Sequence, residues 1–493
     1  MSRDIKKSFP IELKAQSGRT QLSAKGVVDN LQAFAGLNAS FDIRGQNLDE
    51  LYNISGVVLP STPPYRLQGQ LGKQDLVWIA SQLRGELGRS DIGGELRFDT
   101  SGNLPMLSGK VQSKVLDFVD LAPVIGLPVK AATPPRTSTV ATPKPAAAEA
   151  KRGGVATPAA GKVLPTATLD LQRLKSMNAD VVYSALDIRH VEQLPLDKGS
   201  VHVRLKQGVL QLEPLVLGIA GGSLAGRIKV DVNLQPAAFD THFDLRNVAL
   251  NKLFPTIEST KSSLGKISGQ VALKGQGNSM AQMLGSSSGD VAMLMGKGEI
   301  SNILMEFMGL DGGEIIKFFL RGDRNVTLRC AAAAFGVKQG VMASKVIVLD
   351  TSDTVINGSG QISLANETLD MVLKPEPKDK SILSLRSPLK IGGTFAAPTA
   401  GPDTAALGAR AGLAIALGVV NPFLALLATI ETGPGQDADC TGALAVASNG
   451  KVKAGANAGA QPAVTLAAKP ASKPAAKAEV KTEPRAETES RGQ

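Results

Sequence analysis

VHVRLKQGVLQLEPLVLGIAGGSLAGRIKVDVNLQPAAFDTHFDLR, residues 201–246, is the stretch whose reading decides the fold. Val201, Val203 and Leu205 alternate with His202, Arg204 and Lys206. Leu224, Gly226, Ile228, Val230 and Val232 alternate with Arg227, Lys229 and Asp231, and Phe239, Thr241, Phe243 and Leu245 with Asp240, His242, Asp244 and Arg246. A period of two places successive side chains on opposite faces, so these runs predict antiparallel strands with one apolar and one polar face. Gln207-Gly208, Gly221-Gly222 and Asn357-Gly358 read as turns or bulges between them. The alternation returns at Ile362/Leu364, Leu369/Met371/Leu373 and Leu389/Ile391.

Working outward, helical spacing is scarce. Ile303, Leu304, Phe307 and Met308 fit one helix face and Ile315, Ile316, Phe319 and Leu320 another, with Gly312-Gly313 between them. The expected fold is therefore mostly β, with a large curved antiparallel sheet or sheets, a few short helices and one longer apolar C-terminal helix. So much one-faced sheet must pack on a second sheet as a sandwich or curl into an open groove. The pattern is compatible with both.

The chain of 493 residues divides into a β region over 1–127, a disordered Pro/Ala linker over 128–165, a larger β domain over 166–398, an apolar helical segment over 399–440 and a disordered Ala/Lys/Pro tail over 441–493. Within the fourth of these, Ala405–Ile430 is apolar enough to span a bilayer. Arg410, several glycines and Asn421-Pro422 favour instead a helix packed on the sheet or lying at a membrane interface. The net charge of +10 is concentrated in low-complexity sequence: six Lys/Arg against one Glu between Pro128 and Lys162, and eight against four from Ala447 to Gln493. The folded body is then nearly neutral, which excludes a nucleic-acid-binding face. Aromatic residues are 4% of the chain, so its core is aliphatic.

No constellation in the chain carries chemistry. Gly285-Ser286-Ser287-Ser288-Gly289 matches the G-x-S-x-G pattern of hydrolases, but that elbow needs a strand before and a helix after. Here a helical stretch (Ser279–Leu284) precedes and a strand-like run follows, and the last histidine, His242, comes too early to serve as base. His190, His202 and His242 sit among charged residues or on polar strand faces. Asp350-Thr351-Ser352-Asp353 lacks the glycine and distal glutamate of a calcium loop and reads as a hairpin turn capped by its own side chains. Gly275-x-Gly277 lacks the third glycine of a nucleotide loop. No enzyme activity, cofactor or metal is implied.

Specific phrases do resemble a known family. Ser384–Pro398, SLRSPLKIGGTFAAP, resembles the C-terminal signature of the AsmA family, and LDTSDTVINGSGQISLANETLDMVLKPEP (Leu349–Pro377) resembles the strand pair before it. GELGRSDIGGELRF (Gly85–Phe98) and LPMLSGKVQSKVLDFVDL (Leu104–Leu121) are similar to an earlier segment of the same family. The resemblance covers most of residues 20–126 and 167–440. It implies a Gram-negative envelope protein, held in the inner membrane by one N-terminal helix with its body in the periplasm and serving outer-membrane assembly. Larger relatives are thought to carry phospholipid along an apolar groove.

The opening MSRDIKKSFPIELK departs from that pattern. It reads as strand rather than signal or anchor, and implies a cytosolic protein or one that begins part-way into a longer chain. The leading functional expectation is phospholipid bound or conducted on the apolar face, with Leu224, Ile228, Val230 and Val232 as groove lining. A non-catalytic scaffold or regulator of outer-membrane protein assembly, in contact with envelope assembly proteins, is the alternative. An oxidising compartment, which the resemblance implies, would pair the two cysteines, Cys330 and Cys440, and close a loop of about 110 residues worth roughly 4–5 kcal/mol in the chain-entropy model. Two unrelated buried thiols are the other reading.

Overall fold

In the computed structural model the alternation read at residues 201–246 becomes strands of a single ladder. The structure describes residues 8–30, 35–125, 162–169, 171–189, 195–253, 265–301, 325–378, 388–403 and 435–448, with Gln32 and Gly408 besides. The first strands are β1 (Phe9–Ser17), β2 (Thr20–Val28), β3 (Leu37–Gly45), β4 (Tyr65–Gln74), β5 (Val77–Leu87), β6 (Ser90–Asp99) and β7 (Met106–Asp117). Next come β8 (Asn178–Arg189), β9 (Leu196–Lys206), β10 (Val209–Ile219), β11 (Gly222–Asp231), β12 (Ala238–Ala249), β13 (Lys266–Gln276), β14 (Ser288–Met295), β15 (Gly298–Ser301) and β16 (Asn325–Lys338). The last are β17 (Val341–Thr351), β18 (Thr354–Ser363), β19 (Thr368–Pro377), β20 (Leu389–Gly393) and β21 (Pro398–Pro402). The α-helices are short: α1 (Tyr52–Ser55), α2 (Leu250–Leu253), α3 (Met280–Gly285) and α4 (Cys440–Ser448), and 3₁₀ turns occupy Leu48–Leu51, Phe118–Ile125 and Gln172–Lys175.

All 21 strands belong to one sheet, so among the described residues there is no second sheet to make a sandwich. Nor is the ladder closed into a barrel: β1 pairs with β2 and β21 with β20, and the two ends do not meet. Tight turns connect most neighbours. Gln207 and Gly208, at φ 50° and 77°, and Ala220 and Gly221, at 47° and 75°, supply the left-handed residues that such turns require.

One sequence expectation is corrected here and another is narrowed. The sheet is not wholly antiparallel, because β7 and β8 run parallel, Met106 opposite Asn178 through Asp117 opposite Arg189. A parallel neighbour needs a long crossover, and the stretch between Asp117 and Asn178, which contains the Pro/Ala linker, is long enough to provide one. Of the two readings of Asn357-Gly358 the bulge holds: the pair lies within β18, where the register against β17 shifts between Val348–Asn357 and Ala343–Gln361. Glycine is needed there because a Cβ would come within 2.6 Å of Ile347 and 2.8 Å of Leu373.

Other expectations meet the structure differently. The helical stretch at Ser279–Leu284 is present as α3, its N-terminus capped by the Ser279 side chain, which accepts from Gln282 N. Cys440–Ser448 is helical where the tail had been expected to begin; Asp439 caps it by accepting from Gly442 N at 2.9 Å. The apolar segment 405–430, the two helix faces at 303–308 and 315–320, the linker up to residue 161 and the tail beyond 448 lie outside the described residues.

The apolar face follows from register alone, because residues directly opposite in a ladder share a face. Val230 faces Leu210 on one side and Phe239 on the other, and Gly226 faces Leu215 and Phe243. The same row continues through Val271 and Val291 to Phe335. In the other direction it passes from Leu215 to Val201, Tyr183 and Val111. Leu328, fully buried beside Met295 and Ile356, is a core member of the second half. Leu328→Ala is expected to cost about 2–5 kcal/mol in denaturant unfolding, whereas Lys229→Ala on the polar face should shift stability by less than about 0.5 kcal/mol.

Candidate functional site

The four residues expected to line a groove all come from β11 and the turn after it, and packing separates them. Val230 and Val232 belong to a closed cluster with Phe239, Leu273, Val337 and Met283 of α3. Leu224 packs near the opposite ends of the strands against Ile219 and Val248. Ile228, Val271 and Val291 pack at the edge of the first cluster and are partly exposed, as is Phe243, and Met293 is 42% exposed. The strand ends are thus sealed, by α3 on one rim and by Phe118 and Leu121 of a 3₁₀ turn on the other. The middle of the apolar face in β10–β14 stays half-open.

The polar face is built from cross-strand pairs. His202 Nε2 lies 2.6 Å from Asp180 Oδ1, and Arg204 donates to His202 Nδ1 at 3.1 Å. His242 lies 3.3 Å from Gln270 and 3.8 Å from Asp244. Lys274 pairs with Asp240 and Lys345 with Asp290. These histidines serve strand pairing on a solvated surface. In the Gly285–Gly289 loop, which runs from α3 into β14, the central Ser287 is fully buried and its hydroxyl donates to Leu284 O at 2.7 Å. Its order is helix then strand, the reverse of a hydrolase elbow. The Asp350–Asp353 stretch forms the expected self-capped turn, Thr351 Oγ1 accepting from Asp353 N and Thr354 N.

Cys330 and Cys440 are brought together as a disulfide with a Cα–Cα distance of 5.9 Å. The bond ties α4 to the polar side of β16, where Ala292, Ala332, Ala334, Val348 and Val355 make an apolar patch that Ala443 helps to cover. Beside it lies a charge cluster that sequence reasoning missed. Asp350, fully buried, accepts from Lys378 Nζ at 2.6 Å and from Ala438 N at 3.0 Å, and Arg329 stands 3.1 Å away. Lys378 and Arg329 also pair with Asp437, so two cations meet two carboxylates. The Lys378 hydrogen bond holds the Asp437 carboxyl below its ordinary range. The four partners come from positions 329, 350, 378 and 437, which no local motif connects.

The disulfide and the charge cluster have testable consequences. Unreduced, denatured protein should take up no thiol label, and Cys440→Ser should lower stability by up to about 4–5 kcal/mol, the effect vanishing when the wild type is reduced. Asp350→Ala, which leaves Lys378 and Arg329 only the exposed Asp437 as a partner and takes the acceptor from Ala438 N, should cost about 3 kcal/mol. Because the pKa of Asp437 is depressed in the folded state, its contribution is present above the unfolded value and is lost as pH falls through the folded one. A urea titration from neutral to acid pH, run on the wild type and on Asp437→Asn, reads that difference.

Known proteins are similar to this sequence. A family model described as the AsmA family matches residues 10–347. The AsmA family protein YhjG of Escherichia coli (strain K12) is 35% identical over 438 residues, covering 88% of this chain and 62% of that protein's length. The chain therefore spans somewhat less than two-thirds of its curated relative. No solved structure matches it. The matched range takes in both halves of the ladder and the parallel joint between them, and with these two likenesses the assignment is direct: the chain belongs to the AsmA family.

Proposed function

We propose that this chain binds phospholipid by its acyl chains on the apolar face of the sheet and conducts it in outer-membrane assembly, from the periplasmic side of the inner membrane. The observation that carries the reading is the apolar row from Val111 to Phe335, left partly exposed around Ile228 and Val271, with no second sheet among the described residues. An apolar surface of this extent, left partly exposed, supports a binding surface. The Cys330–Cys440 bond supports an oxidising compartment. Among the described residues no helix is long and apolar enough to cross a membrane. Attachment to the inner membrane is on this reading the work of an N-terminal anchor lying outside them.

The packing around β11 sharpens the test. A photo-crosslinking residue at Ile228 should capture phospholipid from vesicles of phosphatidylethanolamine and phosphatidylglycerol, and one at Arg227 should not. Ile228→Asp should abolish envelope function at a smaller cost in melting temperature than Val230→Asp, since Ile228 packs at the edge of the Val230 cluster and stays partly exposed. Val230→Asp, inside the closed cluster, should unfold the sheet at a cost of several kcal/mol, on the order of the ~5–15 kcal/mol holding a domain together. Arg227→Asp should change little. Absence of any lipid capture at Ile228, with function surviving Ile228→Asp, would sink the lipid reading in favour of a scaffold for outer-membrane protein assembly.

A further inference from the structure

The apolar face is not equally open along its length. Between β3 and β4 the chain leaves one rim, crosses that face and returns, over residues 46–64. Leu48, Leu51 and Leu59 pack on Phe41, Ile43, Leu67, Leu83 and Leu96. Val57, Val58 and Leu59 reach further, to Leu107, Met177 and Leu205. Beneath this segment Leu67, Leu83, Leu107 and Leu205 are all less than a tenth exposed, in contrast to Ile228 and Met293 further along the same face.

The segment is shaped by its own bonds. Asn47 Oδ1 accepts from Asp49 N and Thr62 N, both at 3.0 Å, and Leu48 N donates to Thr62 Oγ1 at 3.0 Å, so its two ends are tied at a neck. Within it Ser55 Oγ donates to Leu51 O, Val57 N donates to Ser55 Oγ, and Gly56 closes α1 in the left-handed region. This is an Ω-loop, a compact unit whose ends are close and whose interior is its own side chains. It contributes no strand to the ladder, so it can lift without breaking a sheet hydrogen bond.

Its far side is held by polar contacts. Arg173 donates to Asp49 at 2.5 Å, and its guanidinium stacks 5.0 Å from the Tyr52 ring. Val58 N donates to the Met177 sulfur at 3.0 Å, a weak acceptor. Arg19 pairs with Glu50 at the exposed edge. Arg173 and Met177 both lie on the stretch that leads into β8, and Arg173 supplies the ion pair that fastens the loop across the joint between the two halves of the sheet.

We propose that residues 47–62 are a displaceable plug, latched by Arg173, which occupies the lipid path over β3–β9 until acyl chains take its place. The inference rests on the lipid reading above. Lifting the loop into water exposes Leu67, Leu83, Leu107 and Leu205 and is unfavourable at roughly 25 cal/mol per Å². An acyl chain laid on the same side chains removes that cost. Lipid therefore binds the open form better than the closed one, which is the differential affinity that a population shift requires.

Hydrogen exchange on the full chain, with and without the same phospholipid vesicles, tests this together with lipid capture at Ile228. Lipid should speed exchange of the amides of Leu48, Val58 and Thr62 several-fold while leaving those of β3 and β4 unchanged. Arg173→Ala, which removes an ion pair and a cation–π contact, should speed the same amides by roughly tenfold without lipid. Arg173→Lys, which keeps the charge and loses the stack, should fall between. Unchanged β3 and β4 amides show that each variant is folded. Capture at Ile228 with loop amides that neither lipid nor Arg173→Ala accelerates would make the loop a fixed part of the core and overturn the plug alone. No capture at Ile228, with no lipid effect on the loop, would overturn both readings.

Discussion

The parallel pairing of β7 with β8 is the constraint on which the rest of the molecule depends. Strand side chains alternate with a period of two, so a slip of one residue at that joint would turn the apolar face of every later strand to the opposite side. The observed register sets Leu107 opposite Ala179, Gly109 opposite Val181 and Val111 opposite Tyr183, apolar on apolar across the joint. Tyr183 secures it from the side, its hydroxyl donating to Ser113 Oγ at 2.8 Å within the buried layer. Burial raises the Tyr183 pKa, which favours the protonated, donating form of the hydroxyl. The short hairpins elsewhere fix their own register; this pair cannot, because its connection is long. Side-chain packing has to do it.

A second consequence of building one long ladder is that its rims must be finished by loops, and buried polar side chains do this. Asp120 accepts from Arg89 N, Ser90 N and Ser90 Oγ, fastening the turn between β5 and β6 to the end of β7. Glu367, almost wholly buried in the hairpin between β18 and β19, accepts from Val163 N and Leu164 N and so captures the chain as it re-enters the sheet from the linker. Asn47 closes the neck of the Ω-loop in the same way. Each is a short acceptor-bearing side chain satisfying backbone donors that would otherwise be buried unpaired. Each acts between segments far apart in sequence.

This divides what could be read in the sequence from what could not. The apolar and polar faces around Ile228 and Arg227 were legible because period two is a local property, as were the turns at Gln207-Gly208 and Gly221-Gly222. The self-capped turn after Asp350 was legible too, because its partners lie within four residues. The buried charge of Asp350 itself was not, since its partners are Arg329, Lys378 and Asp437. The strand direction at β8 was invisible because parallel and antiparallel neighbours carry the same alternation. The Ω-loop was missed because Leu48, Leu51, Ile54, Val57 and Leu59 follow neither period two nor a sustained helical period. The Asp439 cap on α4 was a readable signal that the Ala-rich composition after it obscured.

The two faces of the sheet are treated differently, and the difference bears on what each is for. On the polar side an apolar patch of three alanines and two valines, Ala292, Ala332, Ala334, Val348 and Val355, receives a dedicated cover, α4, fixed by a disulfide and by a four-charge cluster. Leaving even that small patch in water evidently carries a penalty, as contiguous exposed apolar surface does in general. On the other side Ile228, Phe243, Val271 and Met293 are larger, and they remain part-exposed or exposed. Over the neighbouring strands the cover is an Ω-loop, packed by its own leucines and valines and fastened by polar contacts, with neither a disulfide nor a strand pairing. The protein has the means to seal an apolar surface permanently and applies them on one face. On the other, the proposed plug is a cover that can leave, as the lipid reading requires of a surface that exchanges water for an apolar ligand.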